Sequence, residues 1–133
     1  MTTVTVLVSH TKWDEDRSVT TTPRVTPAHV SFTAPDIDAT IQTEYLMTYL
    51  PNGNAEFIFT DVVEAKNFSG HQGSFIAQGK GTFDGKAFTV GGSFDIVEGS
   101  GTGGLEHIKG KGKVNSAKDD PHKVTYEFVV EGI

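Results

Sequence analysis

The chain has 133 residues, no cysteine, and 17 acidic against 11 basic side chains, for a formal net charge of -6. That length suits a single domain, 1–133, with a self-sufficient core. The missing cysteines exclude a disulfide framework and thiolate chemistry, and the acidic balance argues against nucleic acid as a partner.

The opening residues, Met1 to His10, carry no cationic leader and no long apolar core. No segment approaches the roughly 20 apolar residues of a spanning helix. A soluble, cytoplasmic chain with no membrane contact is expected. Residues 3–13 alternate with period two, Val4, Val6 and Val8 on one face and Leu7, Thr11 and Trp13 on the other, which reads as a strand. His10 falls on the valine face, and Trp13 lies at the strand's end, where an aromatic can line a barrel mouth. A second strand is expected over Val25–Ala34, with Pro27 placing it at an edge or a bulge.

Residues 37–50 form the longest predicted strand. Ile37, Ala39, Ile41, Thr43, Tyr45, Met47 and Tyr49 share one face; Asp38, Thr40, Gln42, Glu44, Leu46 and Thr48 share the other. Pro51-Asn52-Gly53-Asn54 then supplies a hairpin turn, and Ala55–Lys66 returns with Phe57, Phe59, Asp61 and Val63 on one face. Asp61 is therefore either at a rim or a buried acid that needs a partner. A loop is expected over 67–73, followed by a hairpin of residues 73–83 and 86–97 around Phe83-Asp84-Gly85. Phe88, Val90, Gly92, Phe94 and Ile96 share a face there. Leu105–Ile108 reads as a single helical turn closed by Gly110. Strands at 111–115 and 122–131 end the chain, split by a polar turn from Asn115 to Pro121.

Thirteen of the fifteen glycines fall between Gly70 and Lys113. Glycines so placed mark strands that coil, bulge or approach other backbone closely. Eight hairpin-linked strands without a long helix leave a sandwich or a barrel, and the clustered glycines favour an all-β, antiparallel, eight-stranded closed barrel.

The ordered series Trp13-Asp14-Glu15, Glu44-Tyr45-Leu46-Met47, Gly73-Ser74-Phe75, Gly81-Thr82-Phe83-Asp84-Gly85 and Gly99 to Leu105 through Ile108-Lys109-Gly110 resembles a family of small bacterial proteins of unknown function with an allene-oxide-cyclase-like β-barrel. The resemblance implies that fold, a homo-oligomer (dimer or trimer), and no metal or organic cofactor. No motif matches the catalytic residues of the cyclases in the wider superfamily, so none is carried over and the catalytic residues are unknown.

Function is read from the lumen. Trp13, Tyr45, Met47, Tyr49, Phe57, Phe59, Phe94 and Tyr126, with Phe75 and Phe128, are candidates to line a site for a small apolar or amphipathic molecule, against ordinary core packing of the same aromatics. Glu44 is a candidate ligand-contacting acid if it faces the lumen; its alternation groups it instead with the solvent or subunit-contact face. The five histidines show no metal spacing; His10 or His71 could titrate at a mouth. Gly99-x-Gly101-x-x-Gly104 matches a dinucleotide fingerprint only as letters, because no long helix can follow it. Lys109, Lys111 and Lys113 read as a solvated strand face. Three roles remain open: a cofactor-free cyclase or isomerase, a non-catalytic carrier, and a filled structural barrel.

Overall fold

The computed structural model describes residues 1–120 and 122–133. Eight strands follow one another: β1 (Thr2–Glu15), β2 (Arg24–Ala34), β3 (Ala39–Tyr49), β4 (Ala55–Phe68), β5 (His71–Asp84), β6 (Thr89–Ile96), β7 (Lys109–Ser116) and β8 (Lys123–Glu131). Each pairs antiparallel with the next, and β8 pairs back onto β1 from Thr2↔Val130 to Ser9↔Lys123, so the sheet is a closed barrel. Closure leaves no open edge. The predicted fold class and strand count hold.

Alternation decides what faces in. On β3, Ala39, Ile41, Thr43 and Met47 are buried, with Tyr45 and Tyr49 half-buried, while Thr40, Gln42, Glu44 and Leu46 face out. The inward set of β8, Val124 to Val130, is as predicted. Pro27 is accommodated because its carbonyl accepts the Asp16 N–H: its backbone polar groups point at the end of β1, where the missing donor removes only a last rung.

Several local expectations are corrected. The loop expected over 67–73 is a tight hairpin: Phe68 pairs with His71, and Ser69 and Gly70 both have positive φ, which joins strands whose twist favours mirror-image turns. The third strand begins later than expected, because a 3₁₀ turn over Pro35–Ile37 precedes it. Phe88 lies outside β6. Its φ is +59° and its N–H bonds to the Asp84 carbonyl, so the turn after β5 is wider than the Asp-Gly signal implied. The helical turn falls over Gly103–Leu105 rather than Leu105–Ile108. The turn expected from Asn115 to Pro121 starts after Ser116, and its Pro121 end lies outside the described residues.

The two ends of the barrel differ. At the end holding residues 35–38, 69–70 and 97–108, the glycine-rich segment folds across β5 where β6 no longer pairs. Thr102 and Ser74 exchange main-chain and side-chain hydrogen bonds, and Ser100 Oγ accepts the Ile76 N–H. This lowers Leu105 and Ile108 into the core, where both are almost wholly buried in one cluster with Phe68, Phe75 and Phe128. That end is plugged. The other end, ringed among the described residues by 16–23, 50–54, 85–88, 117–120 and 122, is open.

Two glycines let aromatic rings lie flat against the wall: Phe57 over Gly81, and Phe94 over Gly112. A Cβ at Gly112 would fall 2.2 Å from the Glu127 carbonyl oxygen and 2.3 Å from Phe94 Cζ. Gly112→Ala is therefore expected to cost ~3 kcal/mol, as overpacking against backbone does, seen as a lower urea midpoint. An unchanged midpoint would mean that the β7–β8 ladder yields easily.

Candidate functional site

A cavity of about 430 Å³ opens at the unplugged end. This lies within the ~300–1,000 Å³ range of small-molecule sites. The lumen is thus divided: Phe68, Phe75, Phe94 and Phe128 fill the lower half edge to face, with ring centroids 5.3–5.8 Å apart, and the upper half is hollow.

Its wall is built by strand alternation with one interruption. Between His10 and Lys12 the β1–β2 register slips, leaving Thr11 as an extra residue. A bulge reverses alternation beyond it. Trp13, predicted on the face opposite the valines, therefore turns inward with Val8 and His10, and Glu15 follows it into the mouth. Trp13 stacks on Tyr45 at 5.9 Å and 18°. Ala28, the β2 residue whose neighbours are Glu15 and Tyr45, is too small to keep the two rings apart. Tyr45 in turn meets Phe57 edge-on at 5.4 Å and Phe59 at 6.0 Å, giving a continuous aromatic wall across β1, β3 and β4.

Of the candidate residues, Trp13, Tyr45, Met47, Tyr49, Phe57, Phe59 and Tyr126 line this cavity together. Glu44 does not: it points outward, its Oε1 2.5 Å from His29 Nδ1, with most of its side chain in solvent. Its even position in β3 settles this, and a lumen role for Glu44 is corrected. Phe94 also lies off the cavity, packed beneath Tyr126 as part of the plug. His71 sits at the plugged end beside Gly104, away from the mouth.

Sequence reasoning missed the polar mouth. Glu15 accepts the Trp13 indole N–H at 2.9 Å and the Tyr49 hydroxyl at 2.6 Å, while Arg24 lies over the Tyr49 ring at 4.2 Å. Burial, helped by the Glu15 charge, pushes the Tyr49 hydroxyl up to about 12. Arg17 and His122 complete the rim with the exposed ring of Phe88. Glu15, Arg17 and His122 stand in turns or beyond the bulge, where no period-two signal reaches.

At the base of the hollow half, Thr43 donates to Asp61 Oδ1 at 2.5 Å and Tyr126 donates to Asp61 Oδ2 at 2.9 Å. Asp61 is fully buried, so it is the buried acid of the two alternatives, and its partners come from β3 and β8. Burial pushes its carboxyl up to about 6, against the downward pull of the two hydroxyl donors. Burial first, and then the Asp61 charge, also raise the Tyr45 and Tyr126 hydroxyls well above their usual range. Tyr45 has no hydrogen-bond partner among the described residues, so its donor is free to meet a ligand acceptor. Among the described residues no group of three or more His, Cys, Asp or Glu is gathered as a metal would require, and no helix is long and apolar enough to cross a membrane.

No curated protein matches this chain. A solved structure of a protein of unknown function from Shewanella oneidensis MR-1 is similar over 98% of this chain and 96% of its own, with a TM-score of 0.77. At 23% identity that likeness shows the fold. The family model described as protein of unknown function (DUF3224), the family of that solved protein, matches residues 7–128, and with well over half of its length so matched this chain belongs to the DUF3224 family.

Proposed function

We propose that the barrel binds one small, largely apolar molecule in the open half of its lumen, with the molecule's polar end at the mouth. The observation that carries this reading is the hollow itself: about 430 Å³, walled by aromatic rings, closed below and open above. A lumen built only for stability would be filled throughout, as its lower half is by Phe68, Phe75, Phe94 and Phe128. The polar groups are divided between the two ends, Tyr45 and Tyr126 below, His10, Glu15, Arg17, Tyr49, Ser116 and His122 above, which is how an orienting site is laid out.

The chain's one tryptophan is in the cavity wall, so binding has a built-in reporter. Titrating 1-anilinonaphthalene-8-sulfonate is expected to quench Trp13 emission saturably while the dye's own emission rises by energy transfer. Val124→Tyr, which places a ring in the hollow, is expected to weaken that response at least tenfold with the fold retained by circular dichroism. Equal binding by this variant, or no quench up to millimolar dye, would remove the reading.

A further inference from the structure

We propose that the base of this cavity is a proton-transfer site, in which Tyr126 moves a proton between carbon atoms of a bound ketone while Tyr45 holds the ketone oxygen; this rests on the reading of the hollow as a ligand site. The starting observation is an acid where the fold needs none. Asp61 faces inward from β4 with no surface exposure, between apolar neighbours on its own strand, Phe59 and Val63. Its cross-strand neighbours are Thr43 on β3 and Ala77 on β5. No cation pairs with it among the described residues, and only two neutral hydroxyls reach it. An apolar residue there would avoid the cost of burying a carboxylate.

What the acid does is fix Tyr126. Tyr126 borders the cavity with about 1% of its surface exposed, and its hydroxyl hydrogen is committed to Asp61 Oδ2. Its oxygen is thereby an acceptor with a ready outlet for its own proton. Tyr45, in the same cavity, is the next inward residue of β3 after Thr43, the other partner of Asp61, and its hydroxyl hydrogen is uncommitted among the described residues. One oxygen that accepts and one hydroxyl that donates, in the wall of the same aromatic-lined cavity, are the two polar groups an enolisation needs.

The step balances without any further reactant. The C–H bond beside the carbonyl breaks, and its proton passes to Tyr126 Oη as the proton of Tyr126 passes to Asp61. The electron pair moves onto the ketone oxygen, and that enolate accepts a hydrogen bond from Tyr45. Reversal at a different carbon of a conjugated enolate yields an isomer. Tyr126 and Tyr45 are the catalytic residues of this scheme; Asp61 acts through Tyr126 and is a positioning residue.

The test uses 2-tetralone as the probe, in D2O, with loss of the protons beside the carbonyl followed by NMR and binding followed by Trp13 quenching. Exchange is expected at least tenfold above the buffer rate in the native protein. It is expected to fall to the buffer rate in Asp61→Asn and Tyr126→Phe, both of which keep the quench. The native rate is expected to climb between pH 5 and 7 as Asp61 ionises. The titratable groups facing Asp61 are Tyr126 from β8 and Tyr45 from β3, with His10, Glu15, Arg17 and His122 in the upper cavity. A climb of the same size in Asp61→Asn would belong to those upper groups and would overturn the role given to Asp61. A quench without exchange in the native protein overturns proton transfer and leaves the ligand site standing; no quench at all overturns both. Should Tyr126→Phe not fold, Asp61→Asn, which keeps the shape of the side chain, decides the matter.

Discussion

Truncating Phe128 to alanine is expected to cost about 4 kcal/mol of folding stability, within the usual range for removing a buried phenylalanine. Phe128 is fully buried, and its ring meets those of Phe68, Phe75, Phe94 and Tyr126 at 5.3, 5.8, 5.3 and 5.7 Å. The surrounding rings are anchored on four different strands of a closed sheet, so they cannot collapse into the void without breaking ladder hydrogen bonds. Net stabilities of such domains are about 5–15 kcal/mol, and this one change removes a large share. Two comparisons give the number meaning. Ile58→Ala, on the outer face with 57% of Ile58 exposed, is expected to stay within about 0.5 kcal/mol. Val124→Ala, at the cavity wall, is expected to cost less than about 1.5 kcal/mol, because that side chain already borders open space and forfeits fewer contacts. Urea midpoints measure all three. If Phe128→Ala and Val124→Ala proved equally costly, the division of the lumen into a packed half and a hollow half would be wrong.

That division was only half legible in the sequence. Period-two alternation in 37–50, 55–66 and 122–131 assigned the inward faces correctly, because a strand with one buried face has no freedom to slip by a residue. It brought Tyr45, Met47, Tyr49, Phe57, Phe59 and Tyr126 to one interior. The departures came where one residue breaks the period. Thr11 is extra in β1, and nothing in its side chain announces that Trp13 and Glu15 beyond it will turn inward. Phe88 reads as the first inward residue of a strand, yet its backbone is left-handed and its ring stands at the mouth. Ser69-Gly70 lacks the Asn-Gly or Asp-Gly signature, so a tight turn read as a loop. The buried triad was legible as a question and not as an answer. The phenylalanine face of Asp61 showed that an acid there needs partners, but Tyr126 lies 65 positions away and meets it only because the sheet closes. Resemblance to a family of unknown function is upheld by the match over residues 7–128.

The same acid gives the second large effect, with a sign opposite to the usual one for a hydrogen-bonded carboxylate. Asp61→Asn is expected to raise stability at pH 7 by about 3 kcal/mol and to flatten part of its pH dependence. In the unfolded chain this carboxyl releases its proton near the ordinary value of 3.8, whereas in the folded protein it holds it to about 6. Between those values the native state binds more protons than the unfolded state, so native stability falls as pH rises through the interval. Below it both states are protonated and there is no penalty; above it the whole penalty is present, and about two pKa units correspond to roughly 3 kcal/mol. Asparagine mimics the protonated acid: it accepts from one hydroxyl and donates to the other. The exposed Asp16 and Asp84, whose carboxyls are held below the usual range by nearby backbone N–H donors, act in the other direction and lose stability as pH falls. The pH dependence of the native protein alone is therefore a sum, and the difference between native and Asp61→Asn midpoints from pH 4 to 7 isolates Asp61. The gap is expected to open from near zero at pH 4 to its full size above pH 6. A variant less stable than the native protein at pH 7 would make the buried carboxylate a net structural asset and take away the physical reason for assigning it a task. A gap of the expected sign means that the fold carries a charge it would be steadier without, which is the usual relation between a site and the scaffold that holds it.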